Sequence, residues 1–193
     1  YGSTEGGAVT GLKVYNNQLL VFRENAIDVI RPQGNNVGFI TVPFVQGIGT
    51  KATNTITTVP GFGVIFLAED GVYAISGTNN GGSSLQIKLL SREIFDFVER
   101  ITKSVVARSV AAFSSKWGEW HCYVPFDGKD KPSLGLVYHL EKQAWSTREG
   151  FPVSSIATDD DGNFIFGNQT GKPAGWSLGD NYEAGLFVIS RKR

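Results

Sequence analysis

A twelve-residue stretch returns after forty-five residues, and this echo limits the possible folds more than any other feature of the chain. Leu19-Leu20-Val21-Phe22-Arg23-Glu24-Asn25-Ala26-Ile27-Asp28-Val29-Ile30 comes back as Val64-Ile65-Phe66-Leu67-Ala68-Glu69-Asp70-Gly71-Val72-Tyr73-Ala74-Ile75. Each copy is two short apolar runs joined by a polar turn. Glu24-Asn25-Ala26 answers Glu69-Asp70-Gly71 in the turn, and the second version is a strong hairpin signal. A hairpin recurring every ~40–50 residues has the period of a β-propeller blade. Apolar residues on consecutive positions of a strand imply that both of its faces are covered.

Two looser copies follow, at Trp120–Leu140 and Phe164–Leu178. The chain therefore divides into blade-like units of approximately residues 9–50, 54–105, 106–150 and 153–193. The expected fold class is all-β: a β-propeller domain, or part of a larger one, spanning 1–193, with one short helix in a connection. Composition agrees, because 24 Gly with abundant aromatic and β-branched residues suits many short strands and tight turns. We read the chain, which opens on Tyr1 and contains no Met, as a piece of a longer polypeptide.

Within the units, Val9–Tyr15, Leu19–Phe22, Ala26–Ile30 and Val37–Val45 read as strands. Pro43 places the last at an edge or splits it. Asn16-Asn17-Gln18 is a turn, since Asn tolerates left-handed dihedrals. In the second unit Asn54–Val59 reads as a strand rich in Thr, and Leu85–Leu90 as the outer strand beyond a loop at Gly77–Ser84. Ser91 is placed to cap the only convincing helix, with Glu93 in its first turn. Ile94, Phe95, Val98 and Ile101 would form its apolar face, and Asp96/Arg100 and Glu99/Lys103 its i,i+4 ion pairs. Val105–Phe113 and Glu119–Val124 read as strands of the third unit. In the second of these, Trp120, Cys122 and Val124 share one face and His121 and Tyr123 the other.

Charge and composition exclude some functions. Lys plus Arg and Asp plus Glu both number 18, so the chain lacks the cationic excess of an electrostatic nucleic-acid binder. One cysteine, Cys122, allows neither an internal disulfide framework nor a Cys-based zinc site. No apolar run reaches the ~20 residues of a membrane helix.

Candidate chemical sites are few. Asp159-Asp160-Asp161-Gly162 invites a calcium reading, but three consecutive side chains diverge, and a hairpin turn explains them. His121 and His139 are the only histidines and could be neighbours if their strands pair in register, although zinc would need two more ligands. Cys122 cannot be activated by adjacent His121, which faces the other way. Trp117, Trp120, Trp145 and Trp176 could stack on sugars, yet they fall at unequal places in their units and suit core packing. No phosphate loop, G-x-S-x-G or H-E-x-x-H is present. The reading is of a protein that is not an enzyme, with no catalytic, cofactor-binding or metal residue assigned and no cofactor.

The order of elements carries a resemblance. NNQLLVFRENAIDVI, TTVPGFGVIFLAEDGVYAISG, LSREIFDFVERI, SVAAFSSKWGEWHCYVPF and LGLVYHLEKQAWSTREGFPVSSIATDDDGNFIFG occur in that sequence. The series resembles the tail nozzle proteins of short-tailed bacteriophages, also called tail tubular or packaged-DNA stabilisation proteins. The strand LVYHLEKQAWS also resembles a kelch repeat, though without its Gly-Gly doublet. The phage resemblance implies a structural virion protein in the tail, assembled in the host cytoplasm. Such proteins form a ring, commonly a hexamer, touch adaptor and fibre proteins, and retain and then conduct DNA during ejection. No membrane contact is implied. The alternative is a propeller that binds a glycan or protein through loops such as Pro125–Ser133 and Thr78–Ser84.

Overall fold

The computed structural model describes residues 6–33, 38–77, 84–150, 153–168 and 187–188. The protein is all-β, and its described residues form four antiparallel sheets whose strand order follows the chain. It divides into two compact units, Tyr1–Val98 and Glu99–Arg193.

The first unit opens with β1 (Val9–Tyr15), β2 (Gln18–Arg23), β3 (Ala26–Pro32) and β4 (Phe39–Gln46), paired in that order. Asn16 and Asn17, both at positive φ (49° and 56°), form the two-residue loop between β1 and β2. Such loops match the right-handed twist of the strands they join. Pro43 sits in edge strand β4 beside a register break: Ile27 pairs with Val45 and Asp28 with Pro43, leaving Phe44 as the extra residue. A proline has no N–H for the ladder, so an edge with a bulge accommodates it.

The second sheet is β5 (Thr57–Val59), β6 (Gly63–Leu67), β7 (Val72–Gly77) and β8 (Leu85–Leu89). The repeat seen in the sequence is reproduced in the pairing. Leu19 opposes Ile30 and Phe22 opposes Ile27 in the first sheet. Val64 opposes Ile75 and Leu67 opposes Val72 in the second. The two sheets pack face to face: Leu20, Phe22, Ile27 and Val29 meet Val64, Phe66, Tyr73 and Ile75. The Phe22 and Phe66 rings meet edge to face at 5.1 Å, the arrangement that the ring quadrupoles favour.

Several expected elements are corrected. Thr53–Thr55 is a 3-10 turn, so the strand expected over Asn54–Val59 shrinks to Thr57–Val59. The Thr side chains explain this. Thr55 Oγ1 donates to the Ala52 carbonyl and accepts from Leu67 N–H, locking a turn in place of a ladder. The expected helix is a 3-10 turn (Ser91–Ile94) followed by α1 (Phe95–Glu99) of only five residues. Ser91 does not cap it; its Oγ accepts the N–H of Val72. Phe95 is half exposed, while Val98 and Ile101 are buried, so the apolar stripe is only partly used. The loop expected at Gly77–Ser84 falls mostly on residues 78–83, outside the described residues.

The second unit contains β9 (Val110–Ser114), β10 (Glu119–Pro125), β11 (Pro132–His139) and β12 (Ala144–Glu149), in sheet order β12-β11-β10-β9. The strand expected over Val105–Phe113 starts late, because Lys103–Arg108 forms 3-10 turns. Arg100 pairs with Asp127 across the sequence and not with Asp96 within the helix. The last sheet is β13 (Val153–Thr158), β14 (Phe164–Asn168) and β15 (Phe187–Val188). The looser hairpin copy expected at Phe164–Leu178 lies, beyond Asn168, outside the described residues. Val110, Ala112 and Tyr123 of the third sheet pack on Val153, Phe164 and Phe166 of the fourth. No helix among the described residues is long and apolar enough to cross a membrane.

Candidate functional site

Strand β10 has the alternation expected of it, but both of its faces are buried. Trp120, Cys122 and Val124 lie on one side, and Glu119, His121 and Tyr123 on the other; each is at most 1% exposed. A buried carboxylate is costly unless paired and hydrogen-bonded, so Glu119 marks where the fold must compensate a charge.

The antiparallel register supplies the compensation. His139 opposes Glu119, and Val137 opposes His121, on β11. Ser146 opposes Val137 and Arg148 opposes Gly135 on β12. Side chains alternate along each strand, so Glu119, His121, His139, Ser146 and Arg148 converge on one face of three adjacent strands. His121 Nε2 donates to Glu119 Oε2 at 2.9 Å. His139 Nδ1 is 3.2 Å from Glu119 Oε1, and Arg148 Nη2 is 3.7 Å from Oε2. The far nitrogen of His139, Nε2, is 2.9 Å from Ser146 Oγ.

The cluster grades from dry to wet. His121 is fully enclosed, its ring 4.0 Å from that of Phe164. Burial pulls its pKa down to about 4, with the hydrogen bond to Glu119 opposing the shift and the Arg148 cation adding to it. His121 is therefore neutral at physiological pH and holds its proton on Nε2, toward Glu119. Burial also pushes the Tyr123 hydroxyl well above its ordinary value. His139 and Arg148 are a fifth to a quarter exposed, and Ser146 is exposed.

The other sequence candidates take structural places. The histidines meet through a shared carboxylate, with His139 opposite Glu119 and not opposite His121. The described residues hold no group of three His, Cys, Asp or Glu side chains disposed to bind a metal. Asp159 folds its own turn, accepting from Asn163 N and Nδ2 at 2.7 and 3.0 Å; those bonds hold its carboxyl below the usual range. Asp160 and Asp161 are left in a hairpin turn, docked on the third sheet by Lys116 Nζ donating to Asn163 Oδ1.

Burial raises the pKa of the Cys122 thiol far above its ordinary value, which leaves it inert at neutral pH. Trp120 packs edge-on against Trp145 at 6.4 Å, Trp145 lies 4.9 Å from Tyr138, and Trp117 lies 5.7 Å from Phe164. These three indoles pack against other rings and do not form an open platform, while Trp176 lies outside the described residues. A cleft of about 190 Å³ in the first unit is bordered by Gln18, Pro43 and Leu85, with Arg31 the one charged group among its described lining residues.

Sequence reasoning missed Glu119, Ser146 and Arg148. The available signal was Glu119 two residues before His121 in a run that is otherwise apolar, which puts both on one face of a strand. Comparison of the chain with protein-family models and with curated proteins finds no match.

Proposed function

We propose that this chain is a structural element of a short-tailed phage virion, a run of β-propeller blades that builds part of the tail nozzle. The observation that carries the reading is the repetition of faces. The second sheet packs on the first through Val64, Phe66, Tyr73 and Ile75. Their counterparts one repeat earlier are Leu19, Val21, Asp28 and Ile30, on the opposite face of the first sheet. Beside them, Leu12 and Val14 of β1 are 60% and 69% exposed. The first sheet thus has the same receiving face as the second, as expected of a member of a longer radial array in which each sheet packs on its neighbours. Asp28 on that face is already matched by Arg23 at 2.8 Å, so a covering sheet would bury no unpaired charge.

The tail assignment comes from the order of elements and is supported by the chain's charge balance. A wall with 18 cationic and 18 anionic residues holds DNA weakly, which suits a conduit through which DNA must slide. The blades form a ring with copies of themselves, a hexamer by the resemblance, and the ring contacts adaptor and fibre proteins. Glycan recognition is the weaker reading, because the three described tryptophans pack against neighbouring rings and Trp120 is fully buried. Mass photometry of the full-length protein, with mass spectrometry of purified virions, tests the role. We expect a closed oligomer and a stoichiometric tail component. A monomer at micromolar concentration that is absent from virions would contradict it.

A further inference from the structure

We propose that Ser146, His139 and Glu119 form a nucleophile–base–carboxylate relay that makes Ser146 an acylatable serine, reactive toward small unhindered esters. This activity goes beyond the structural role and does not depend on it.

The geometry has the connectivity that nucleophilic catalysis by a serine requires. The carboxylate must hold one imidazole nitrogen as N–H, so that the other nitrogen carries a lone pair toward the hydroxyl. Glu119 Oε1 faces His139 Nδ1 at 3.2 Å, and His139 Nε2 faces Ser146 Oγ at 2.9 Å. With the proton held on Nδ1, Nε2 accepts the hydrogen bond from Ser146. The three come from β10, β11 and β12, so their spacing is set by sheet register and not by a loop.

Burial is ordered as the chemistry needs it. Glu119 is enclosed, His139 is partly exposed and Ser146 is open to solvent. His121 and Arg148 hold the other carboxylate oxygen, which fixes the carboxylate plane relative to His139. The same constellation arises on unrelated folds, so its presence on a sheet of this kind needs no shared ancestry.

The step balances without a cofactor. Ser146 Oγ attacks the ester carbonyl carbon while its proton passes to His139 Nε2. The bond from that carbon to the alcohol oxygen breaks, and the alcohol leaves with the proton. Water then attacks the acyl-serine with the same proton relay, releasing a carboxylic acid and restoring Ser146. Glu119 is a positioning residue that touches neither reactant.

The test uses the purified chain, a fluorophosphonate probe and p-nitrophenyl acetate. We expect intact-mass and peptide mass spectrometry to place one phosphonyl group on Ser146, with fluoride lost. Ser146→Ala, at an exposed position, should remove the label and keep the circular dichroism spectrum. His139→Ala should slow labelling by about 100-fold or more, the ordinary contribution of a general base. Glu119→Gln, folded by the same circular dichroism criterion, should lower the maximal labelling rate while leaving the probe concentration for half-maximal rate unchanged, as a positioning residue requires. Ser155→Ala should label as the wild type does. A chain that takes up no probe, a label on another serine, or a folded His139→Ala variant that labels at the wild-type rate would each overturn the proposal.

Discussion

At the scale of single residues, the third sheet carries most of the chemical information. His121 is neutral when folded, and its pKa of about 4 lies below the ~6.5 of an exposed imidazole in the unfolded chain. A group whose pKa is depressed by folding favours the unfolded state once protons bind it there. Its contribution is complete above pH ~6.5 and is lost as pH falls toward 4, by at most about 3 kcal/mol. Urea unfolding between pH 7.5 and 4.5 should show that loss, and His121→Gln, which keeps an amide donor but cannot titrate, should flatten it. Equal slopes in the two proteins would show that His121 is not the sensor. Glu119→Ala should cost more at neutral pH, about 3–5 kcal/mol, because it removes the partner of His121, His139 and Arg148 together. Urea midpoints at pH 7.5 measure it.

At the scale of elements, the two hairpins of the first unit illustrate how a repeated sequence specifies repeated sheets. Phe66 is fully buried and meets Phe22 at 5.1 Å and Tyr73 at 6.0 Å. Phe66→Ala should therefore lower stability by about 3–5 kcal/mol, read by chemical denaturation. Gly63 opens β6 at φ 146°, and a Cβ there would lie 2.1 Å from the Ile75 carbonyl oxygen. Gly63→Ala should force the β6–β7 ladder apart, with a fall in melting temperature much larger than that of Gly61→Ala, where nothing lies within 4 Å.

These hairpins were legible because apolar period, turn residues and repeat length all agreed on the same pairing. The helix over Ser91–Ile101 was not. Its periodicity was real, but Ser91 bonds to Val72, Arg100 reaches Asp127 and Ile101 bridges to Phe126. Tertiary partners thus drew residues out of the helix. The strand expected from Val105 failed for a related reason: β-branched residues there suit a strand, yet the chain turns through 3-10 geometry before entering β9. The carboxylate relay was only half visible. Glu119 and His121 share a face by simple alternation, but His139, Ser146 and Arg148 join them only through a register that no local pattern states.

At the scale of the whole molecule, we propose that the four-stranded sheets are blades of a radial array, each packing on its neighbours. Leu20, Phe22, Ile27 and Val29 pack on Val64, Phe66, Tyr73 and Ile75 in one sheet-to-sheet contact, and the exposed Leu12 and Val14 lie where the proposal places a second. Cryo-electron microscopy of the full-length protein tests the claim most directly. The account predicts four-stranded sheets set radially about an axis, with Leu12 and Val14 covered by an adjoining sheet of the same repeat. Sheets stacked as separate sandwiches, with Leu12 and Val14 still facing solvent, would contradict it.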